Sequence, residues 1–202
     1  MVIDGIYYAL GLAAAAAAVA YLAGPAFAVP LILAALFCLY FFRDPNRTIP
    51  EGPVAVSPAD GKVVSIVAAS NGQTRLSIFL NIFDVHVNRS PVGGRITALE
   101  YTPGRFLVAS REQASTHNEQ NSITVQSEGG SVVVFKQIAG LIARRIVCWK
   151  KQGDAVEKGE RIGLIKFGSR VDVFLGPEWI VAVKPGERVA AGSSIVARRK
   201  DQ

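Results

Sequence analysis

Lys151-Gln152-Gly153-Asp154-Ala155-Val156-Glu157-Lys158-Gly159-Glu160-Arg161-Ile162 returns 33 residues later as Lys184-Pro185-Gly186-Glu187-Arg188-Val189-Ala190-Ala191-Gly192-Ser193-Ser194-Ile195. Both segments read K-x-G-[DE]-x-V-x-x-G-x-x-I. In each, the first glycine suits a turn and the valine enters a core. The second glycine then sends the chain into a new strand. From Pro50 onward the chain follows this habit, with short apolar runs bounded by Gly, Pro, Asn and Asp. The pattern predicts strands near 54–56, 61–68, 74–80, 85–89, 93–101, 122–127, 131–138, 144–148, 161–167, 171–175 and 195–198. Helical periodicity is weak there, so this part is mainly β.

The first 45 residues are of another kind. Half the chain is hydrophobic, and the mean hydropathy of +0.30 is high for a soluble domain. The excess lies in two runs, Ile6 to Ala23 and Ala26 to Phe42, split by Gly24-Pro25. Each is near the lower limit for a spanning helix, about 17–25 residues. A Gly-Pro pair does not sit easily inside a regular helix, so two helices with a turn between them are expected. A signal peptide would need a positive leading region, but Asp4 is the only charge before Arg43. Arg43 and Arg47 follow the second run and favour a cytoplasmic exit. The expected organisation is a hydrophobic anchor over 1–45 and a catalytic β domain over 46–202.

The repeat units resemble the hammerhead turns of lipoyl and biotinyl domains, and Pro58-Ala59-Asp60-Gly61-Lys62-Val63 looks like a further element of that kind. The expected fold is a hammerhead-containing, barrel-sandwich-hybrid-like β domain preceded by a hydrophobic helical hairpin. Carrier domains present a lysine at a hairpin tip. Here the place between the runs Ile162 to Ile165 and Val171 to Leu175 holds Phe167-Gly168-Ser169-Arg170. A tight turn presenting the serine at its bend is expected.

The net charge is +6. On an anchored domain that reads as attraction to anionic lipid headgroups. The basic residues are scattered, apart from Arg198-Arg199-Lys200, without aromatic interleaving, which argues against nucleic acid. Cys38 and Cys148 lack partners at metal-ligand spacing and read as small apolar residues. Edge strands of an anchored β domain leave room for a homodimer.

Groups able to catalyse near neutral pH are few. His86 lies in an alternating run with apolar neighbours, and His117 lies in a polar loop. His86 is the stronger candidate base. Asp60 reads either as a turn aspartate bonding its own backbone or as the carboxylate orienting an imidazole. A serine following glycine is placed to attack the glycine carbonyl if a base takes its proton.

Ser57-Pro58-Ala59-Asp60-Gly61-Lys62-Val63, Asp84-Val85-His86-Val87-Asn88-Arg89-Ser90-Pro91, Asn118-Glu119-Gln120-Asn121 and Phe167-Gly168-Ser169-Arg170-Val171-Asp172 occur in this order, after Phe41-Phe42-Arg43-Asp44-Pro45. Together they resemble the short, membrane-anchored bacterial phosphatidylserine decarboxylases, over essentially the whole chain. The resemblance implies a self-processing precursor. Ser169 attacks the Gly168 carbonyl, and the ester eliminates to split the chain into 1–168 and 169–202. Ser169 is left as a covalent pyruvoyl group, and the two chains stay associated. His86 would be the base, and also a proton donor in decarboxylation, with Asp60 orienting it. The pyruvoyl group would serve as electron sink in place of metal or pyridoxal phosphate. Phosphatidylserine would be the substrate, phosphatidylethanolamine and CO₂ the products. Arg170, Arg89 and Arg105 are candidate partners for the substrate's anionic groups. The chain departs from longer members at Phe83, where they carry an additional histidine, and from short relatives at Gln120, which replaces an arginine. A decarboxylase of another serine lipid, such as archaetidylserine, and a non-enzymatic tethered hammerhead adaptor remain open on these residues.

Overall fold

The computed structural model describes residues 1–69, 72–109, 112–141, 145–166 and 168–200. The chain forms two compact units, Met1–Asn46 and Arg47–Gln202.

The first unit is a helical hairpin. α1 (Ile3–Ala23) and α2 (Pro25–Phe41) meet at Gly24, and the Val2 amide bonds the Phe42 carbonyl at 3.0 Å, closing the open end. The buried residues along the seam include Ala9 and Ala16 on one helix and Ala28 and Ala35 on the other. Small residues spaced this way let backbones approach closely, as in apolar media where packing rather than hydrophobicity holds helices together. Bulky side chains face outward, Tyr21 at 90% and Leu22 at 81% exposure. α1 is long and apolar enough to cross a membrane; α2 is a shorter apolar helix.

The second unit is mainly β. Its largest sheet uses β2 (Gly61–Ala68), β3 (Thr74–Leu80), β5 (Gly94–Thr102), β6 (Gln120–Gln126), β7 (Val132–Ile138), β9 (Ala155–Val156), β11 (Ser169–Leu175) and β13 (Arg188–Val189), in the order β13-β2-β3-β11-β7-β6-β5-β9. It curls into a half-barrel. Two three-stranded sheets complete the domain. One is β1 (Val54–Val56), β14 (Ile195–Arg199) and β12 (Trp179–Val181); the other is β4 (Val87–Arg89), β10 (Arg161–Ile165) and β8 (Ile146–Cys148). A short helix, α3 (Ala114–His117), interrupts the β5–β6 connection. Apolar side chains from all three sheets, among them Leu76, Ile78, Phe135, Ile162, Val173 and Val196, share one core. Each such side chain contributes about 1.5–3 kcal/mol on burial.

The repeat is real and longer than the sequence pattern showed. Val156 and Val189 both enter the core and pair with Gly94 and Gly61. Those glycines open β5 and β2, both with φ 151°. A Cβ at either would strike a carbonyl oxygen, of Gln126 or Phe79. The Ser90 carbonyl accepts from Gly159 and the Ser57 carbonyl from Gly192, each at 2.8 Å. Ser57-Pro-Ala-Asp-Gly-Lys-Val is thus the counterpart of Ser90-Pro-Val-Gly-Gly-Arg-Ile, again 33 residues on. Two equivalent interlocked pairs of segments build the domain, and Asp60 stands where the other half has Gly93.

Most expected strands are present. β9, β12 and β13 were not anticipated, being only two or three residues long. One expectation fails. β10 and β11 do not form a hairpin: β10 pairs with β4 and β8, whereas β11 pairs with β3 and β7. Gly168-Ser169 is therefore a crossing between sheets, and Ser169 begins a strand instead of sitting at an exposed bend. Phe167 lies outside the described residues.

β11 is held on one face by a buried ion pair. Arg170 Nε donates to Asp172 Oδ1 at 2.6 Å, and the two side chains are 1% and 0% exposed. Arg170 also donates to Ser77 Oγ, and Ser115 Oγ donates to Asp172 Oδ2, each at 2.6 Å. Replacing one partner of such a pair leaves the other charged and desolvated. Asp172→Ala should lower stability by about 3–5 kcal/mol, read from denaturant unfolding in detergent, and a loss below about 1 kcal/mol would contradict this reading.

Candidate active site

Every part of the site follows from how β11 begins. β3 and β7 run antiparallel to β11 on either side, so both end where it starts: Leu80 faces Ser169, and Ile138 faces Arg170. Ser169 is 0% exposed and its Oγ is buried without a hydrogen-bond partner among the described residues. A buried hydroxyl left this way costs about 1–3 kcal/mol, so it calls for an explanation. Gly168, just before it, has φ 55°, a left-handed conformation that glycine adopts without strain.

His86 meets Gly168 at its amide, one peptide before the Gly168–Ser169 bond. It precedes β4, and its carbonyl accepts from the Ile165 amide at 3.3 Å, which ties it to the end of β10. Its ring is 1% exposed as part of the residue's burial. Nδ1 lies 2.9 Å from the Asp84 carbonyl. A carbonyl only accepts, so Nδ1 carries the proton. Nε2 then presents its lone pair, and accepts from the Gly168 amide at 3.3 Å. The tautomer is fixed by the backbone, with the basic nitrogen one residue from the serine hydroxyl. Asp84 is itself held by Arg188 and by the Asn81 amide.

Asp60 is reached from the hammerhead repeat. Its carboxylate accepts from Arg47 Nη2 at 2.7 Å and from the Ala191 amide at 2.7 Å. Its turn is joined to the His86 strand by the Arg89 amide, which donates to the Pro58 carbonyl at 2.9 Å. The basic residue that most directly follows the anchor, apart from Arg43, is therefore an ion-pair partner of Asp60.

Of the three arginines considered as anion partners, Arg170 is buried against Asp172 and Ser77. Arg89 is 6% exposed and its Nη1 donates to the Gly159 carbonyl at 3.0 Å. Arg105 alone is exposed. His117 is exposed too, its Nδ1 2.8 Å from Thr116 Oγ1. Cys148 is a free thiol in β8, and burial pushes its pKa up, which keeps it unreactive.

Three residues join the site that sequence reading left without a role. Gly140 packs against the carbonyl oxygen of Gly168 so closely that a Cβ there would collide with it. Asn118 fastens the surrounding loops, with Nδ2 donating to the Leu107 and Ala139 carbonyls at 2.9 and 2.7 Å. Gln137 links Asn121 and Asn88 through two side-chain bonds of 3.0 Å. Gln137 and Asn121 lie opposite Val171 and each other across the sheet, so this amide chain shares the face of β11 that carries Ser169. Only the recurrence of Asn118 and Asn121 in one polar run hinted at these positions. Among the described residues, no group of three His, Cys, Asp or Glu is placed to hold a metal.

Fold and site define a hammerhead β domain, carrying an apolar helical hairpin, with a buried glycine–serine–histidine centre. The sequence profile described as phosphatidylserine decarboxylase matches residues 34–197. A phosphatidylserine decarboxylase proenzyme of Solibacter usitatus is 68% identical over 202 residues, covering 100% of this chain and 98% of that protein. Proenzymes of the same description from Syntrophus aciditrophicus and Erythrobacter litoralis are 49% identical over 83% of the chain and 46% identical over 96% of it, spanning 82% and 86% of their own lengths. The chain belongs to the phosphatidylserine decarboxylase family. It is accordingly an enzyme, and the tethered adaptor reading falls.

The contact between Gly140 and Gly168 can be tested directly. An added methyl must push the Gly168 carbonyl aside, and a displacement of about 1 Å at a reacting centre can cost roughly a hundredfold in rate. Gly140→Ala should leave the circular dichroism spectrum unchanged but slow cleavage of the precursor at least about tenfold. Cleavage at the wild-type rate would contradict the assignment.

Proposed function

We propose that this chain is the precursor of a decarboxylase that converts phosphatidylserine to phosphatidylethanolamine and CO₂, and that it makes its carbonyl cofactor by cutting itself between Gly168 and Ser169. The observation that carries the proposal is the Ser169 hydroxyl, buried with no hydrogen-bond partner among the described residues, next in the chain to a glycine whose amide donates to the lone pair of the His86 imidazole.

The first step uses only groups already present. His86 Nε2 takes the Ser169 proton as Oγ attacks the Gly168 carbonyl carbon. For this step Ser169 Oγ takes the place of the Gly168 amide at His86 Nε2. Catalytic hydrogen bonds commonly tighten only as reaction begins. Collapse transfers the acyl group to oxygen and frees the Ser169 amine. Loss of the Ser169 α-proton then breaks the Cβ–O bond. Gly168 leaves as a carboxylate, and position 169 becomes dehydroalanine. Water replaces its nitrogen, ammonia departs, and a pyruvoyl group remains at the start of the small chain. The donor set at Ser169 suits this product: a strand start held on both sides, with an imidazole at hand.

When formed, the pyruvoyl group supplies an electron sink for the charge left as CO₂ departs. The chain's own residues do the rest. His86 is assigned the return of a proton to the substrate's α-carbon. Asp60, clamped by Arg47 and the Ala191 amide, positions the His86 strand through the Pro58–Arg89 bond. Arg105, exposed on the β5–β6 connection, is the candidate contact for the lipid phosphate. The small chain would not drift away, because β11, β13 and β14 pair with β3, β7, β2 and β1 of the large chain. The helical hairpin would hold the enzyme at the membrane, with Arg43 and Arg47 favouring a cytoplasmic catalytic unit.

The test is release of labelled CO₂ from phosphatidylserine carrying the label in its serine carboxyl. Wild type should release it, and Ser169→Ala should fall to background. His86→Ala should lose at least about a hundredfold. Release by Ser169→Ala at the wild-type rate would overturn the proposal.

A further inference from the structure

The two ends of the half-barrel differ sharply in chemistry. At one end lie the start of β11, the ends of β3, β5 and β7, and the starts of β2 and β6. Three connections leave from this end: residues 81–86, 103–119 and 139–145. All three reach the site. The first carries His86. The second is tied to the third by the Asn118–Ala139 bond. The third brings Gly140 against the Gly168 carbonyl.

Each of the three exposes large apolar side chains. Ile82 is 37% and Phe83 60% exposed, Val108 39%, and Leu141 58%. Tyr101, at the end of β5, is 57% exposed. At the opposite end the turns are 69–73, 127–131 and 176–178. Their residues are Ala-Ser-Asn-Gly-Gln, Ser-Glu-Gly-Gly-Ser and Gly-Pro-Glu, with no large apolar side chain. The exposed apolar residues near that end, Val67, Val132 and Ile180, belong to strands.

Soluble turns are normally polar, so exposed apolar tips on three neighbouring connections mark an interaction surface. The site end also carries exposed cations: Lys62 at the start of β2, Arg105, Arg145, and Arg188 with its side chain 62% exposed. Exposed acids there are Glu100, Glu112 and Glu187, of which Glu112 is already paired with Arg75 and Arg170. Arg188 is already paired with Asp84; apolar tips beside Lys62, Arg105 and Arg145 match the acyl boundary and anionic headgroups of a bilayer, whereas a protein partner of neutral surface would leave these three cations unmatched.

We propose that the loop tips at 82–83, 108 and 141 dip into an anionic bilayer, so that the cleavage-site end of the domain faces the lipid surface directly. This rests on the decarboxylase reading and deepens it. A phospholipid would then reach the site with its acyl chains still in the membrane. Only the headgroup would leave the interface, sparing the cost of exposing two acyl chains, about 0.8 kcal/mol per CH₂.

Two measurements on the full chain in phosphatidylserine-containing vesicles test the proposal. In a Cys38→Ala, Cys148→Ala background, an environment-sensitive label is placed at Leu141→Cys or, at the opposite end, at Glu128→Cys. Quenching by lipids with a nitroxide in the acyl chain should be at least about threefold stronger at 141. Equal quenching at both positions, or a blue-shifted label at 141 that lipid nitroxide does not quench, would overturn the proposal; the second would indicate a protein partner. In parallel, the Val108→Asp, Leu141→Asp double variant should self-cleave normally and keep turnover of soluble short-chain phosphatidylserine within about twofold, while losing roughly tenfold on long-chain lipid in vesicles. No loss on vesicles, or equal loss on both substrates, would contradict it. If wild type turned over neither substrate, the decarboxylase reading would fail, and the quenching contrast would still report on the docking surface.

Discussion

The structure depends on β11 being clamped between β3 and β7. Antiparallel pairing with β3 over Ser169–Leu175 and with β7 over Arg170–Phe174 fixes the strand from its first residue onward. The serine at that position has its hydroxyl buried with no hydrogen-bond partner among the described residues. Its hydroxyl is kept next to the glycine carbonyl by the same pairing. The energy spent on leaving it unsatisfied comes from the rest of the sheet, in the way that strained or unpaired groups persist where the surroundings over-determine them.

The alternation of a strand gives β11 two faces with separate tasks. Ser169, Val171 and Val173 face the side shared with the buried Asn88–Gln137–Asn121 amide chain and the core. Arg170 and Asp172 face the other way and bind Ser77, Ser115 and Glu112. The second face locks the strand to the β5–β6 connection. Reaction at the first face can then break the backbone at 168 without freeing the strand that carries the new terminus.

Much of this was legible in the sequence because it depended on periodicity and on glycine. The alternating apolar runs gave most strands, and the K-x-G-x-x-V repeat gave the hammerhead turns with Val156 and Val189 inward. His86 stood out as one of two histidines. What was not legible depended on which strand pairs with which. The Gly168-Ser169 step looks like a hairpin bend because two apolar runs flank it, but those runs belong to different sheets, and pairing is decided across long sequence separations. The second half of the repeat was hidden for a similar reason. The segments from Ser57 and Ser90 match over only seven residues, and their bonds to Gly192 and Gly159 reveal the equivalence. Asp60 illustrates the value of that comparison, since it is the position where the segments 57–63 and 90–96 differ in charge. Gly140 was one glycine among 19, and nothing local marks it as the residue beneath the Gly168 carbonyl.

Intact-mass analysis of the purified wild-type chain tests the central claim most directly. The account predicts two chains, 1–168 and 169–202. The smaller one should be lighter than a serine-started peptide by the difference between serine and pyruvoyl. A single uncut chain from correctly folded protein, or a small chain still starting with serine, would contradict it.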